Sequence, residues 1–106
     1  MERRAWIRVA ANLDVSCQQA GWPREAGWPG NVADISAGGV GLLLQHHFER
    51  GTELVLEIAS RAGAFRRTLR ARVVHAKMVI AAGDPRWLMG CAFAEPLTQD
   101  ELAKLL

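Results

Sequence analysis

The sequence predicts an all-β domain, a six-stranded antiparallel β-barrel that ends in one short α-helix. Three observations predict this fold. Several short segments alternate apolar and polar residues with a period of two, which is typical of strands with one buried face. Turns that contain glycine or proline separate these segments at short intervals. The segment with helical spacing lies at the end of the chain.

The size and composition of the chain favour a single domain. It has 106 residues, of which 50% are hydrophobic and 23% charged, so it can bury one core. We expect one domain over residues 1–106, divided into a mobile arm (1–10), the barrel (11–95) and the helix (97–106). No apolar run approaches the roughly 18 residues that span a bilayer, and the chain opens with charged residues. We therefore expect a cytoplasmic protein without a signal peptide or membrane contact.

The first half of the chain contains three predicted strands. Leu13, Val15 and Cys17 alternate with polar residues, which predicts a strand with one buried face. A short strand over Asn31–Ile35 follows. The next strand, Val40–Leu44, is apolar enough to be buried on both faces.

A loop rich in glycine, proline and tryptophan separates the first two strands. It covers Gly21–Gly30 and contains Gly-Trp-Pro twice, a composition that favours a loop over a strand. We expect Trp22 and Trp28 to close one end of the barrel. The alternative is an exposed docking patch.

A hairpin is predicted in the second half of the chain. Leu54, Leu56 and Ile58 alternate with Glu53, Val55 and Glu57, and apolar residues alternate with arginines over Leu69–Val73. Ser60–Ala64 is the turn between the two strands. The register that joins the apolar faces also pairs opposite charges. Its pairs are Leu54–Leu69, Glu53–Arg70 and Glu57–Arg66.

These hairpin arginines have two interpretations. The glutamates opposite them would neutralise their charge, which predicts a solvated surface. The alternative is a stripe that binds single-stranded nucleic acid through Arg66, Arg70 and Arg72. The scarcity of aromatic residues along the strand disfavours that alternative.

The end of the chain combines a turn, a strand and a helix. Ala82–Pro85 is predicted as a turn and Trp87–Phe93 as the last strand. Thr98 and Glu101 have the spacing of a capping box, so a helix should begin there. The predicted apolar stripe of this helix is Leu102, Leu105 and Leu106.

No pattern predicts a catalytic or metal site. His46 and His47 are adjacent, so on a strand their rings would point to opposite faces and could not share a metal ion. His75 is predicted to be a surface residue at a strand end. The two cysteines, Cys17 and Cys91, lie among apolar neighbours and are expected in the core. We predict no enzyme activity, no catalytic residue, no metal and no cofactor.

Two short motifs remain. Arg4 and Arg8 have an RxxxR spacing and are preceded by Arg3. The second motif, DxSxxG, runs from Asp34 to Gly39 and includes a tight turn with paired glycines. Each motif is weak alone, and the second could be a turn in which a side chain bonds nearby backbone amides.

Together, and in this order, the motifs are more specific. With the Glu-Arg-Arg-Ala-Trp-Ile-Arg opening, the Asp-Ile-Ser-Ala-Gly-Gly-Val-Gly-Leu segment, Gly90–Phe93 and the Pro-Leu-Thr-Gln-Asp-Glu-Leu helix start, the sequence resembles the PilZ domain family. These domains are bacterial receptors for cyclic di-GMP. The resemblance covers nearly the whole chain and implies a six-stranded barrel with a flanking helix, similar to the fold that periodicity predicts.

The resemblance implies a ligand role for the arginines. A guanidinium can pair with phosphate oxygens, bind the O6/N7 edge of guanine or stack on a purine. Arg4 and Arg8 are thus expected to bind cyclic di-GMP. Arg3 would add a third guanidinium, which favours an intercalated pair of ligand molecules. The arm that carries these residues is expected to be mobile until it folds over the ligand.

The resemblance also assigns the turn to the ligand site. Asp34 is an acceptor suited to guanine N1–H and N2–H₂, and Ser36 can donate or accept beside it. Gly39 has no Cβ, so a base could approach the backbone closely.

The implied function is a receptor that switches an unidentified effector protein or fused domain when the ligand binds. The first alternative is a PilZ-like domain that binds no ligand and uses the tryptophan loop as a protein interface. The single-stranded nucleic-acid barrel is less favoured, and an enzyme on this fold is the most distant alternative.

Overall fold

The computed structural model describes residues 8–22 and 27–106. This part of the chain forms six strands and one helix. The elements are β1 Val9–Gln19, β2 Trp28–Ile35, β3 Gly39–Leu44, β4 Glu53–Ala59, β5 Arg66–Ala81, β6 Asp84–Phe93 and α1 Gln99–Leu105. No helix within the described ranges is long and apolar enough to cross a membrane.

The strands form a closed antiparallel barrel. Their order is β1-β2-β3-β6-β5-β4, and β1 pairs with β4 to complete the circle. The predicted six-stranded barrel with a C-terminal helix is therefore confirmed. Closure pairs both sides of every strand over part of its length, so this small domain limits its exposed sheet edges.

Alternating apolar residues fill the barrel, as their spacing predicts. Leu54, Leu56 and Ile58 of β4 are all fully buried, and β3 is buried or half-buried along its whole length. Cys17 and Cys91 lie in this core, where burial raises the pKa of both thiols to about 12. They are free cysteines with the predicted role of small apolar residues.

The first two strands extend beyond their predicted limits. β1 begins at Val9, which pairs with Ile35, so the barrel starts before residue 11. β2 begins at Trp28, inside the predicted loop, because β1 is long enough for Cys17 to pair with Trp28. Pro29 is accommodated opposite Ser16 at the start of the strand.

The β5–β6 hairpin is also longer than predicted. A β-bulge between Val73 and His75 breaks the alternation, which is why the pattern ends at Val73 although β5 continues to Ala81. A two-residue turn joins the strands, and Ala82 and Gly83 have φ angles of 53° and 84°. Positive φ at both positions is typical of a type I′ turn. Asp84 and Pro85 therefore belong to β6 and not to the turn.

The predicted β4–β5 register is wrong by two residues. Leu56 lies opposite Leu69, and Leu54 lies opposite Ala71. A shift of two residues keeps every side chain on its own face, so the hydrophobic pattern is the same in both registers. The predicted charge pairs nevertheless form as diagonal neighbours, described below.

The C-terminal helix begins as predicted. Thr98 Oγ1 accepts from the Glu101 N–H at 3.0 Å, and Glu101 Oε1 accepts from the Thr98 N–H at 3.0 Å, which completes the capping box. Leu102 and Leu105 are buried against the barrel. Leu106 is 50% exposed, contrary to the predicted stripe, because it is the C-cap and lies past the last helical residue.

Candidate functional site

The turn between β2 and β3 is organised by a buried serine. Ser36 is 4% exposed, and its Oγ accepts from the N–H groups of Gly38 at 3.3 Å and Gly39 at 3.2 Å. The Ser36 N–H donates to the Gly39 carbonyl at 2.9 Å. In this structure the hydroxyl therefore stabilises the turn, one of the two roles that the sequence leaves open.

Gly39 is in close contact with the neighbouring strand. A Cβ at this position would lie 2.5 Å from the carbonyl oxygen of Cys91 on β6. That distance is far below van der Waals contact, so the pairing of β3 with β6 requires glycine here.

Arg8 and Asp34 bring the two sequence motifs together. The Arg8 guanidinium forms an ion pair with the Asp34 carboxylate, and each side chain is 35% exposed. Asp34 lies on β2, and its two carboxylate oxygens are 3.1 Å from where a Cβ of Gly41 would be. The carboxylate therefore lies over bare backbone of β3.

A cleft of about 320 Å³ opens beside this pair. Its walls include Arg8 and the Ser36 turn on one side and His75 on β5 on the other. We call this surface the glycine cleft, because Gly38, Gly39 and Gly90 supply much of its floor. Cys91 and Ala92 of β6 complete the floor, and Val74 lies beside His75.

Four of the six predicted site residues lie at or beside the glycine cleft. Arg8, Ser36 and Gly39 line it, and Asp34 reaches it through its ion pair with Arg8. Arg3 and Arg4, and most of the predicted mobile arm, lie outside the described residues. Their ligand contacts stay predictions, as do the ligand roles of the other four.

The sequence did not identify His75 as part of the site. The prediction placed it at a strand end, whereas it lies in the middle of β5, directly after the bulge. Its imidazole occupies the space where a side chain at Gly90 would be, with Nε2 2.3 Å from that Cβ position. The sequence feature that comes nearest to predicting His75 is Gly90, which belongs to the family resemblance but was given no role there.

A second group of arginines lies on the β4–β5 strands. Arg66 pairs with Glu57 at 3.6 Å and Arg70 with Glu53 at 3.5 Å, and these four residues are named the charged hairpin face. The predicted neutralisation of these arginines by glutamates is confirmed. Arg67 points instead to the helix, where its Nε donates to Glu101 Oε2 at 2.6 Å.

The two tryptophans that were expected to close one end of the barrel lie at its surface. Trp22 is 59% exposed and Trp28 is 42% exposed. Trp28 stacks on His46 with ring centroids 4.2 Å apart, and His46 meets the edge of the buried Phe48 ring. Residues 23–26 lie outside the described ranges. His47 contacts a different ring, that of Trp87, so the two histidines do point apart.

Comparison with known families decides what this barrel is. A model of the PilZ domain matches residues 2–106, nearly the whole chain. The chain is a PilZ domain. No match was found among curated proteins.

Solved structures share the fold of this PilZ domain. An inhibitor of motility from Bacillus subtilis (MotI/DgrA) is 26% identical, with a TM-score of 0.73 over 99% of this chain and 48% of its own. The PilZ domain of YcgR from Escherichia coli, solved with c-di-GMP, is 17% identical, with a TM-score of 0.68 over 98% of this chain and 86% of its own.

The MrkH–c-di-GMP complex from K. pneumonia is a third similar structure. It is 16% identical, with a TM-score of 0.66 over 99% of this chain. The PilZ domain spans 50% of the length of MrkH and 48% of that of MotI. At 17% and 16% identity, the likenesses to YcgR and MrkH establish the fold.

Proposed function

We propose that this chain is a cytoplasmic receptor domain for cyclic di-GMP, with the ligand held at the glycine cleft. The observation that carries the proposal is the ion pair between Arg8 and Asp34. These residues are 26 positions apart, and the pair brings the end of the RxxxR motif against the start of the DxSxxG motif. Arg3 and Arg4 would bind from the segment that precedes Arg8.

The chemistry of this pair suits a guanine dinucleotide. The Arg8 guanidinium can bind a phosphate bidentately or the O6/N7 edge of guanine. The Asp34 carboxylate can accept from guanine N1–H and N2–H₂. Both groups are one-third exposed, so a ligand can reach them without unfolding the barrel. On binding, each would exchange its partner in the protein for a partner in the ligand, so neither group would be left without a hydrogen bond.

The neighbouring structures support this choice of ligand. YcgR and MrkH, which share the fold, were both solved with c-di-GMP. The family membership of this chain supports the same ligand class, as do the four motif residues at or beside the cleft. The receptor would act without a catalytic step, through a change in the surface that it presents to an effector protein or fused domain.

Calorimetric titration tests the proposal. Cyclic di-GMP should bind to the full chain, whereas GTP and a single-stranded oligonucleotide should release no heat under the same conditions. The stoichiometry distinguishes one bound molecule from the intercalated pair that Arg3 would favour. Absence of heat with cyclic di-GMP at high concentration would overturn the receptor function and favour a protein-interaction domain. Heat with the oligonucleotide would favour the nucleic-acid alternative.

Single substitutions assign the binding to the cleft. Arg8→Ala and Asp34→Ala should each weaken binding of cyclic di-GMP by about tenfold or more, since a hydrogen bond to a charged group contributes about 1.5–3 kcal/mol. The matched controls are Arg70→Ala on the charged hairpin face and Arg72→Ala on the same strand, which should leave affinity unchanged. Equal losses of affinity in the cleft variants and in the controls would mean that the ligand does not bind at the glycine cleft.

A further inference from the structure

Four residues form one row across four strands of the barrel. Asp34 on β2 lies opposite Gly41 on β3, Gly41 lies opposite Gly90 on β6, and Gly90 lies opposite His75 on β5. Direct cross-strand neighbours share a face of the sheet. The row faces outward, because the residues before and after each glycine point into the core. Those core residues are Val40, Leu42, Met89 and Cys91.

The two ends of this row lean toward each other over bare backbone. Asp34 and His75 are three strand spacings apart, or about 14 Å between backbones. The Asp34 carboxylate lies over Gly41, and the Nε2 end of the His75 ring lies over Gly90. A larger residue at either glycine would occupy the space into which these side chains extend. The acid and the imidazole therefore face the same strip of surface.

His75 is placed to contact a ligand in the glycine cleft. It lines the cleft together with Arg8 and the Ser36 turn, and it is exposed. Within residues 8–22 and 27–106, no hydrogen bond or ion pair of its ring is found, so the imidazole nitrogens face no competing partner there. A neutral imidazole has one N–H donor, and a protonated one has two and a positive charge.

We propose that His75 is a ligand-binding residue that donates to a phosphate oxygen of the cyclic dinucleotide, opposite Arg8, and makes its affinity depend on pH. This inference rests on the proposed function, because the phosphate belongs to the proposed ligand. Histidine changes charge between pH 5 and 8, whereas arginine stays protonated. A phosphate binds the imidazolium more tightly than the neutral ring, so affinity should rise as the pH falls.

Other charged or titratable groups lie near His75 in both clefts that it lines. Arg8 and its partner Asp34 face it from the glycine cleft. A second cleft of about 320 Å³ is lined by His75 together with charged or titratable side chains of the β3–β4 connection. Those side chains are His47, Glu49 and Arg50. His47 is therefore the appropriate control, since it is a second histidine beside the same strand.

The test is titration of the full chain with cyclic di-GMP at pH 5.5 and pH 8.0. The wild-type domain should bind about tenfold more tightly at pH 5.5, the effect of one charge-assisted hydrogen bond. His75→Gln retains a donor but cannot be protonated, so the difference in affinity between the two pH values should disappear. His47→Gln should keep the wild-type ratio. Titrations at about pH 6 to 7 in two buffers of different ionisation heat should show proton uptake that His75→Gln abolishes.

The outcomes separate the two proposals. If the wild type binds cyclic di-GMP but its affinity is the same at both pH values, the role of His75 is overturned and the receptor function stands. The role of His75 is also overturned if His75→Gln keeps the wild-type ratio of affinities at the two pH values, or if His47→Gln removes that ratio. If no cyclic di-GMP binds at either pH, the receptor function itself fails, and the inference fails with it.

Discussion

Two surfaces of the barrel carry arginine, and they are constructed in different ways. On the charged hairpin face, Arg66 and Arg70 pair with glutamates of the next strand, and neighbouring positions carry full side chains. At the glycine cleft, Arg8 pairs with one aspartate, and the surface beside that pair consists largely of glycine backbone.

This difference shows why a count of arginines is not enough to choose between two candidate binding surfaces. Four charges of the hairpin face cancel in pairs, and their side chains are already hydrated. The cleft has less charge but more room, because glycines replace side chains on adjacent strands. A large planar anion needs both a cation and an open surface, and the glycine cleft combines them.

The largest effect should come from filling the cleft floor. Gly39→Val places a Cβ against the Cys91 carbonyl oxygen, a backbone atom that cannot rotate away. Overpacking of this kind costs about 1–3 kcal/mol, so the free energy of unfolding in urea should fall by that amount. Thr68→Val, at an exposed position of β5 opposite Glu57, should change it by less than about 0.5 kcal/mol. Similar losses at the two positions would mean that the surfaces do not differ in packing.

A smaller effect on stability should come from the contact between Arg67 of β5 and Glu101 of α1. The pKa of Glu101 lies below its usual 4.5. The largest cause is the hydrogen bond from the Thr98 backbone, and the second is the hydrogen bond from Arg67. A carboxyl whose pKa is lower in the folded state than in the unfolded state stabilises the fold at pH values above the unfolded-state pKa. This contribution is lost as the pH falls through the folded-state pKa. Stability measured by urea unfolding should therefore fall below about pH 4.5, and less steeply in Glu101→Gln.

Glu95→Gln is the control for that experiment. Glu95 is an exposed glutamate in the segment before α1. Its substitution should leave the acid slope as it is in the wild type. If Glu101→Gln gives the wild-type slope too, the contact between Arg67 and the helix does not contribute to stability in the way that its geometry indicates.

The sequence was sufficient for most of the fold because local signals and the final structure agree. Alternation identified the buried residues of β1 and β4, and the Thr98–Glu101 spacing located the start of the helix. The end of β5 was not predictable, because the bulge after Val73 reverses which residues point inward. The β4–β5 register was ambiguous because a two-residue shift preserves the apolar face.

The candidate site also contains residues that the sequence predicted and one that it did not. Asp34 to Gly39 are close in sequence, and the RxxxR motif pointed to Arg8, so these residues could be predicted together. The row from Asp34 to His75 depends on three successive strand registers, and no local pattern encodes them. His75 therefore emerged from the structure, although Gly90 was visible in the sequence.

The smallest effect should come from the charged hairpin face itself. Arg70 and Glu53 are 64% and 66% exposed, and their closest charged atoms are 3.5 Å apart. Exposed pairs contribute about 0–1 kcal/mol, because water screens the charges and both side chains lose freedom when they pair. A double-mutant cycle with Arg70→Ala and Glu53→Ala should give a coupling energy of less than about 0.5 kcal/mol in urea unfolding. A coupling well above 1 kcal/mol would show that this face is a structural network. The strength of the ion pairs would then not distinguish the charged hairpin face from the glycine cleft, and the bare glycine backbone beside Arg8 would be the remaining difference between them.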